Sequence, residues 1–458
     1  MGKKSLTALR SKKLYYFAST ASLGLIAWAL THWGETNLPP LIPAVRYFIL
    51  ALYANWFLSY ALFVADPGIG SEKLSGWVWL GLIGVFLSLV PPVFSGDLME
   101  YLIRGRMLAV YHVSPYRAVP QDFPNDLLRP YSVWITNPDS YGPLSVYLQT
   151  LPAALFRSSI AGMIASYKLM VLAFYFTAVL FFWKIVHHLK FPNAVRVWAL
   201  FAYCPLLVVT AFIDGHNDII MMAFSIVSVY FLLCGSYGRS FFFWSCAFLV
   251  KYMVALQLPF MVLYAVKRKW EEQGSFPWLF ILKQAAANVL LIVLCFAPVW
   301  GGMDTFLAIL RQKGAFYTNT IPFLFYFVLH SLGLPADTQV FKTLFLAAFA
   351  VFYVYLLFRA WTLSKDAPSK FFGIIAMGYL AFYAALPSPM GYWYLCWALG
   401  FIVLAQWPKS LSLVLLYSAV GVLAFYKRPN FLAALAGLVY VLILTMKNRK
   451  LCYNFRHE

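Results

Sequence analysis

Charge is what this sequence has least of. Only 11% of its 458 residues are Asp, Glu, Lys or Arg, against about 25% in an ordinary soluble domain. Meanwhile 62% are hydrophobic and 19% aromatic. A chain so poor in charge cannot stay in water as a globular fold, which excludes a soluble enzyme and a separate soluble catalytic domain. Acids are scarcer than bases, 16 against 35, for a formal charge of +19. In a soluble protein that excess would point to nucleic acid. In a multi-span chain Lys and Arg collect in cytoplasmic loops and gain about 1 kcal/mol each near anionic headgroups, so no nucleic-acid partner is expected. Cysteine is scarce too. Cys204, Cys234, Cys246, Cys295 and Cys396 fall inside apolar runs and Cys452 lies in a basic tail, which leaves no disulfide or metal spacing. No small-residue cleavage site follows the basic head MGKKSLTALRSKK, so the first apolar stretch reads as a retained span. No internal repeat is visible, which weakens a transporter built from inverted halves.

What is present is a succession of apolar runs. Each crossing needs roughly 20 apolar residues, so the chain has room for about 12 to 14 transmembrane helices. The expected fold is a single all-α, polytopic integral-membrane domain over residues 1–458. Lys3, Lys4, Arg10, Lys12 and Lys13, with no acid among them, place the N-terminus in the cytoplasm. Spans near 15–33, 43–64 and 75–94 then leave residues 95–142 as a large first outer loop. A short helix at 143–157, carrying Pro143 and Pro152, dips in and returns, and spans follow near 163–188, 194–212 and 217–234. The run 240–267 reads as a hairpin of two short helices breaking near Lys251, which keeps Lys267, Arg268 and Lys269 inside. Further spans fall near 279–298, 339–361, 371–387, 392–407, 410–426 and 431–446, with a second outer excursion at 300–335.

On this topology most acids gather outside, among them Asp97, Glu100, Asp122, Asp126, Asp139, Asp214, Asp218 and Asp304. Asp97 lies just past a span, where a carboxylate is partly desolvated yet can meet a substrate at the interface, a good place for a general base. Alternatively it only caps the next helix. From Leu98 the apolar spacing suggests a helix on the membrane surface, with Arg104 and Arg106 snorkelling or reaching lipid phosphate. The turn DGHND, Asp214 to Asp218, has three readings: a divalent-metal site, a helix cap, or a set of donors and acceptors for sugar hydroxyls. A nucleotide-sugar donor would call for the metal, but such donors are cytoplasmic and this turn faces out.

The order SGD, a tyrosine and GR, then SPY and YGPL resembles the first outer loop of bacterial polyprenol-phosphate-sugar-dependent glycosyltransferases of the GT-C superfamily. Among these it is similar to the actinobacterial α-1,6-mannosyltransferases. The resemblance continues through DGHND, the Lys251-Tyr252 pair ahead of Pro259, Arg311 with the later TNT, and GYWYLCW at 391–397. It departs at Tyr392-Trp393-Tyr394, where that family often has Pro-Trp-Tyr. It implies a multi-pass enzyme of the bacterial cell membrane with its active site on the extracytoplasmic face. The reaction it implies is an inverting, metal-independent transfer of a hexose, mannose first, from a polyprenyl-phosphate sugar donor to a glycan or glycolipid acceptor. No cofactor or metal is expected. Asp97 would be the base, because a phosphate leaving group held by cations departs without a second carboxylate. Lys251 and Arg311, with Arg104 or Arg106 behind them, would hold the donor phosphate. Glu100, Tyr101, Tyr141, His216, Asn217, Asp218, Trp393 and Tyr394 would contact sugar or acceptor, although interface-belt packing also explains the last two. An outer-face polymerase or ligase using lipid-linked glycans, a secondary transporter, and a non-catalytic flippase partner are the alternatives.

Overall fold

The computed structural model describes residues 12–22, 24–25, 55–64, 74–90, 92, 95–306, 321–363, 367–385 and 391–406. These residues are helical, with no strand among them, as expected of an all-α membrane protein. They fall into two compact units, Met1–Arg311 and Gln312–Glu458. The first unit holds α1 (12–22), α2 (Asn55–Val64), α3 (Leu74–Ser88), α4 (Asp97–Ala109), α5 (Pro143–Leu155) and α6 (Ile160–His188). It continues with α7 (Ala194–Ala202), α8 (Pro205–Val208), α9 (Asp218–Leu233), α10 (Tyr237–Val250), α11 (Leu258–Gln273) and α12 (Trp278–Phe296). The second holds α13 (Ile321–Ser331), α14 (Thr338–Thr362), α15 (Pro368–Ala385) and α16 (Cys396–Leu404).

Among the described residues, α6, α12 extended to Val299, and α14 are long and apolar enough to cross a membrane, and the bent pair Ala194–Ala202 and Pro205–Ile213 has the length and composition of a fourth if it counts as one span. The expected spans at 410–426 and 431–446 lie outside the described residues. One expected span is not straight. The run at 194–212 breaks at Cys204–Pro205 with a 44° bend, because proline has no N–H to continue the ladder. The bend takes carbonyls out of their helical bonds, and in hydrocarbon each must find another donor. Three buried tyrosines supply them. Tyr16 donates to the Tyr203 carbonyl at 2.8 Å, Tyr60 to that of Leu200 at 2.6 Å, and Tyr175 to that of Ala202. Past the break the chain widens into a π-turn, Val209–Ile213, which leads directly into the DGHND turn.

The segment after α3 is built as expected up to a point. A short helix, α5, begins at Pro143 and runs 13 residues, about 20 Å and too short to cross. It packs against α4. Gly105 makes this crossing possible: a Cβ there would lie 2.0 Å from the Gln149 carbonyl oxygen. Gly105→Ala therefore should destabilise the protein by roughly 1–3 kcal/mol or more, outweighing the ~1 kcal/mol that alanine contributes as a helix former. Gly81→Ala in α3, where a Cβ meets nothing within 4 Å, is the control and should not lower the melting temperature measured in lipid.

The surface-helix expectation for α4 does not hold. Arg104 and Arg106 are each 5% exposed and turn into the protein. Arg104 pairs with Glu100 at 2.5 Å and donates to the Asn137 carbonyl at 3.2 Å. Arg106 pairs with Asp126 at 2.8 Å and donates to the Arg157 carbonyl. Both hold the 110–142 loop over α4 instead of reaching solvent or lipid. In the second excursion, the apolar run from Ile321 is helical through Ser331, so residues 300–335 are not loop throughout.

The break at Lys251 occurs where the sequence placed it. Lys251 is extended, with φ −151° and ψ 124°, between α10 and a 3₁₀ turn, Tyr252–Gln257. The chain then reverses. Lys269 near the end of α11 lies 5.7 Å from the Tyr237 ring at the start of α10. Lys251 thus sits at one end of the helix hairpin and the basic Arg268 and Lys269 at the other.

Candidate active site

Three chain segments meet at the Lys251 end of the hairpin. The first is the start of α4. Asp97 is its first residue and its N–H is held by the Ser95 hydroxyl at 3.2 Å. Gly96 takes the capping position, and Asp97 makes no side-chain cap bond. The second is the DGHND turn. Its Gly215 has φ +65°, a conformation that other residues adopt at a cost. The third is the break at Lys251, to which the Tyr-Gly-Pro segment is pinned by the Gly142 N–H donating to the Val250 carbonyl at 3.1 Å. A Cβ at Gly142 would lie 2.2 Å from the Leu249 carbonyl, so glycine alone permits this approach.

The result is a polar floor closed to solvent with one carboxylate at its edge. His216, Asn217 and Asp218 are fully buried, whereas the Asp97 side chain keeps 23% of its surface exposed. Asp97 Oδ2 is 3.6 Å from His216 Nδ1, just beyond hydrogen-bond length. The Tyr101 hydroxyl lies 3.3 Å from the same nitrogen and donates to Asn217 Oδ1 at 3.2 Å. Asn217 Nδ2 in turn donates to the Ser145 hydroxyl at 3.3 Å. Lys251 Nζ donates to both Asp218 oxygens, at 2.8 and 2.9 Å, and sits 5.3 Å from the Tyr141 ring.

Burial raises the Asp97 carboxyl to about 6, with Lys251 pulling it down and Asp218 and Glu100 pushing it up. Burial, together with Lys251, holds His216 well below its ordinary value, so the imidazole is neutral. An acid of this strength is mostly ionised at pH 7 yet more basic than a surface aspartate, which suits proton abstraction. If Asp97 is the base, kcat/KM should climb with pH through a single midpoint near 6 and level off above it. At pH 5 it should be about a tenth of the plateau. A profile flat between pH 5 and 7 would contradict that role.

The other sequence-selected residues divide. Tyr101, Tyr141, His216, Asn217, Asp218 and Lys251 come together around Asp97. Glu100 does not: its carboxylate accepts from Arg104, the Ser132 hydroxyl and the N–H groups of Val133 and Trp134, which occupies its acceptor sites. Arg104 and Arg106 stay with the loop, as above. Arg311 lies outside the described residues. Trp393 and Tyr394 belong to the second unit, where Tyr394 packs on Trp397 with ring centroids 4.5 Å apart and Trp393 is buried. Sequence reasoning passed over Ser145, which shares Asn217 with the floor, and Lys168, which lies buried beneath it. The signal for Lys168 was a lone lysine in an apolar run, since an ionisable residue in a span is rare without a purpose. Among the described residues no group of His, Cys, Asp and Glu has the arrangement of a metal site.

Beside Lys251 an apolar cavity of about 750 Å³ opens between the α10 end and the α12 end, lined by Phe248, Tyr252, Val293, Phe296, Trp300 and Phe306 among others. Tyr252 joins cavity and floor through its hydroxyl, which donates to the Tyr141 carbonyl at 3.1 Å.

A helical membrane protein that presents one half-open carboxylate above a buried polar floor, with a cation and a greasy cavity alongside, has the layout of a membrane-embedded group-transfer enzyme. Residues 21–267, more than half of the chain, match the family model of the α-(1→6)-mannopyranosyltransferase N-terminal domain. The chain belongs to that family, and its activity class is that of a mannosyl-transferring glycosyltransferase. No curated protein and no solved structure matches it. Asp97, the DGHND turn and Lys251 all fall inside the matched region.

Proposed function

We propose that this protein transfers a mannosyl unit from a polyprenyl-phosphate sugar to a hydroxyl of a glycan or glycolipid acceptor, at the outer face of the membrane and without a metal. The observation that carries the proposal is Asp97, the exposed edge of an otherwise sealed polar floor. Asp97 takes the proton of the acceptor hydroxyl, the oxygen attacks the sugar C1, and the C1–O bond to phosphate breaks on the opposite side. Inversion to an α product then requires a β-linked donor. Tyr101, Asn217 and His216, sealed beneath Asp97, hold the surroundings of its carboxylate while it takes the proton, and Lys251, shared with Asp218, meets the phosphate. The prenyl chain lies in the aromatic cavity, which is continuous with Lys251 through Tyr252. The hairpin supports this sidedness: the positive-inside rule favours a cytoplasmic Arg268 and Lys269 end, with the Asp97 end facing out.

The test is sugar transfer by purified protein in lipid, from synthetic radiolabelled β-mannosyl phosphoryl polyprenol and, in parallel, from nucleotide-linked mannose. Transfer from the lipid donor alone, unchanged by EDTA, is expected. Use of the nucleotide donor alone, or loss on chelation with rescue by Mg²⁺ or Mn²⁺, would overturn the reading. Val293→Trp, which fills the cavity, should raise KM for a long-chain donor by about tenfold, the effect of ~1.4 kcal/mol of lost binding. A two-isoprene donor should be indifferent to it.

A further inference from the structure

Lys168 is a buried cation that the mechanism leaves unused. It lies in the spanning helix α6, 1% exposed, where hydrocarbon and protein make a charge expensive. Its surroundings show what the expense secures. Its ammonium donates to the carbonyl of Val90, at the end of the α3 segment that leads into Asp97. On its other side it faces the start of the DGHND turn, which the fully buried Asp214 opens. Between the two anchors lies Gly215: a Cβ there would stand 3.4 Å from Lys168 Cγ on one side and 3.6 Å from Leu98 Cδ1 on the other. Leu98 follows Asp97 in the chain, and Gly215 precedes His216. One lysine side chain therefore bonds the Val90 carbonyl, seven residues before Asp97, and packs beside Gly215, whose next residue, His216, faces Asp97 at 3.6 Å.

We infer that Lys168 is a positioning residue, which fixes the spacing of Asp97 and His216 by tying the end of α3 to the DGHND turn from beneath. The inference rests on Asp97 being the base. Removing the tie lets the two backbones slide, and a shift of about 1 Å remote from the reacting atoms is enough to cost on the order of 10²-fold in rate. Binding of donor and acceptor, made by groups above the floor, is affected less. The Asp97 environment changes as well, so the midpoint of the pH–rate profile moves.

The experiment compares wild type with Lys168→Met, Lys168→Gln, Asp214→Asn and the Lys168→Met/Asp214→Asn pair, all purified in lipid. Each is measured for kcat, KM, pH midpoint and melting temperature. Lys168→Met is expected to lower kcat by about 10- to 100-fold with KM within about twofold, and to move the pH midpoint away from that of wild type. Lys168→Gln, which retains a donor for Val90, should recover part of the rate. The pair should regain the melting temperature, because no buried charge is left alone, without regaining kcat. If Lys168→Met does not fold, the pair and the glutamine variant carry the same comparison. A rate loss no larger than the loss of folded protein, with an unmoved pH midpoint, would reduce Lys168 to a structural clamp and overturn the inference. Asp97→Asn in the same assay keeps the two ideas apart. An active Asp97→Asn removes the base itself, whereas an inactive one with an unmoved midpoint in Lys168→Met removes the positioning role alone.

Discussion

Asp97→Asn is expected to lose roughly 10²- to 10⁴-fold in the rate of sugar transfer, the usual worth of a general base, while folding at least as well as wild type. The second half follows from the sign of the electrostatics. Burial raises the Asp97 carboxyl above its value in an unfolded chain, so the folded state binds that proton more tightly and is stabilised as pH falls through 6 toward 4. At pH 7 the ionised carboxylate opposes folding, and asparagine removes that opposition. Melting temperature should therefore be equal or higher for Asp97→Asn at pH 7 to 8, and the advantage should shrink below pH 6. Glu100→Gln should behave in the opposite way. It removes an acceptor saturated by Arg104, Ser132, Val133 and Trp134, so stability falls by about 1–3 kcal/mol while the folded fraction keeps its rate. A well-folded Asp97→Asn that retains more than about a tenth of wild-type transfer, short of what a base contributes, would return Asp97 to the role of a helix-start residue.

The second large effect concerns Lys251. Its ammonium and the Asp218 carboxylate form a pair that is nearly all buried, and removing one partner from such a pair costs about 3–5 kcal/mol because the other charge is stranded. Lys251→Met should therefore melt far below wild type. It should also push the pH–rate midpoint upward, since Lys251 is the largest influence holding the Asp97 carboxyl down. Asp218→Asn added to Lys251→Met leaves no stranded charge and should restore most of the melting temperature. Activity with the lipid donor is expected to stay low in the double variant, with the loss falling on donor KM. Thermal unfolding and donor titration, run on both singles and the double, separate the two roles. Recovery of transfer together with stability would show that Lys251 serves only the fold.

The sequence carried the membrane character of the chain, the order of its apolar runs and most of the floor. Asp97, His216, Asn217, Asp218 and Lys251 were legible because each breaks an apolar pattern beside a turn, where a polar residue is conspicuous. The hairpin was legible from charge, since keeping Lys267 to Lys269 on one side forces the chain to reverse at Lys251. Arg106 was misjudged because its partner is distant in sequence, whereas Arg104 meets Glu100 one helical turn away. Nothing local distinguishes an Arg106 that snorkels from one that meets Asp126, 20 residues on. The same holds for Glu100, whose partners lie 32 to 34 residues away in an irregular loop. Lys168 was missed because a helical apolar run reveals burial but not what a rare lysine in it touches. The kink at Cys204–Pro205 could have been read from Pro205. The tyrosines that make it tolerable could not, since they come from three other helices.

Those tyrosines bear on how the chain can change over evolutionary time. A Tyr→Phe exchange in a membrane span looks mild, because it removes one oxygen and keeps the ring. At Tyr16, Tyr60 and Tyr175 it would instead leave a main-chain carbonyl at the bend without its donor. The three positions are therefore tied to Pro205 as a set. In relatives that keep the proline, all three hydroxyls should persist. In any relative that has straightened the helix by losing it, they are released together and free to drift to phenylalanine or leucine.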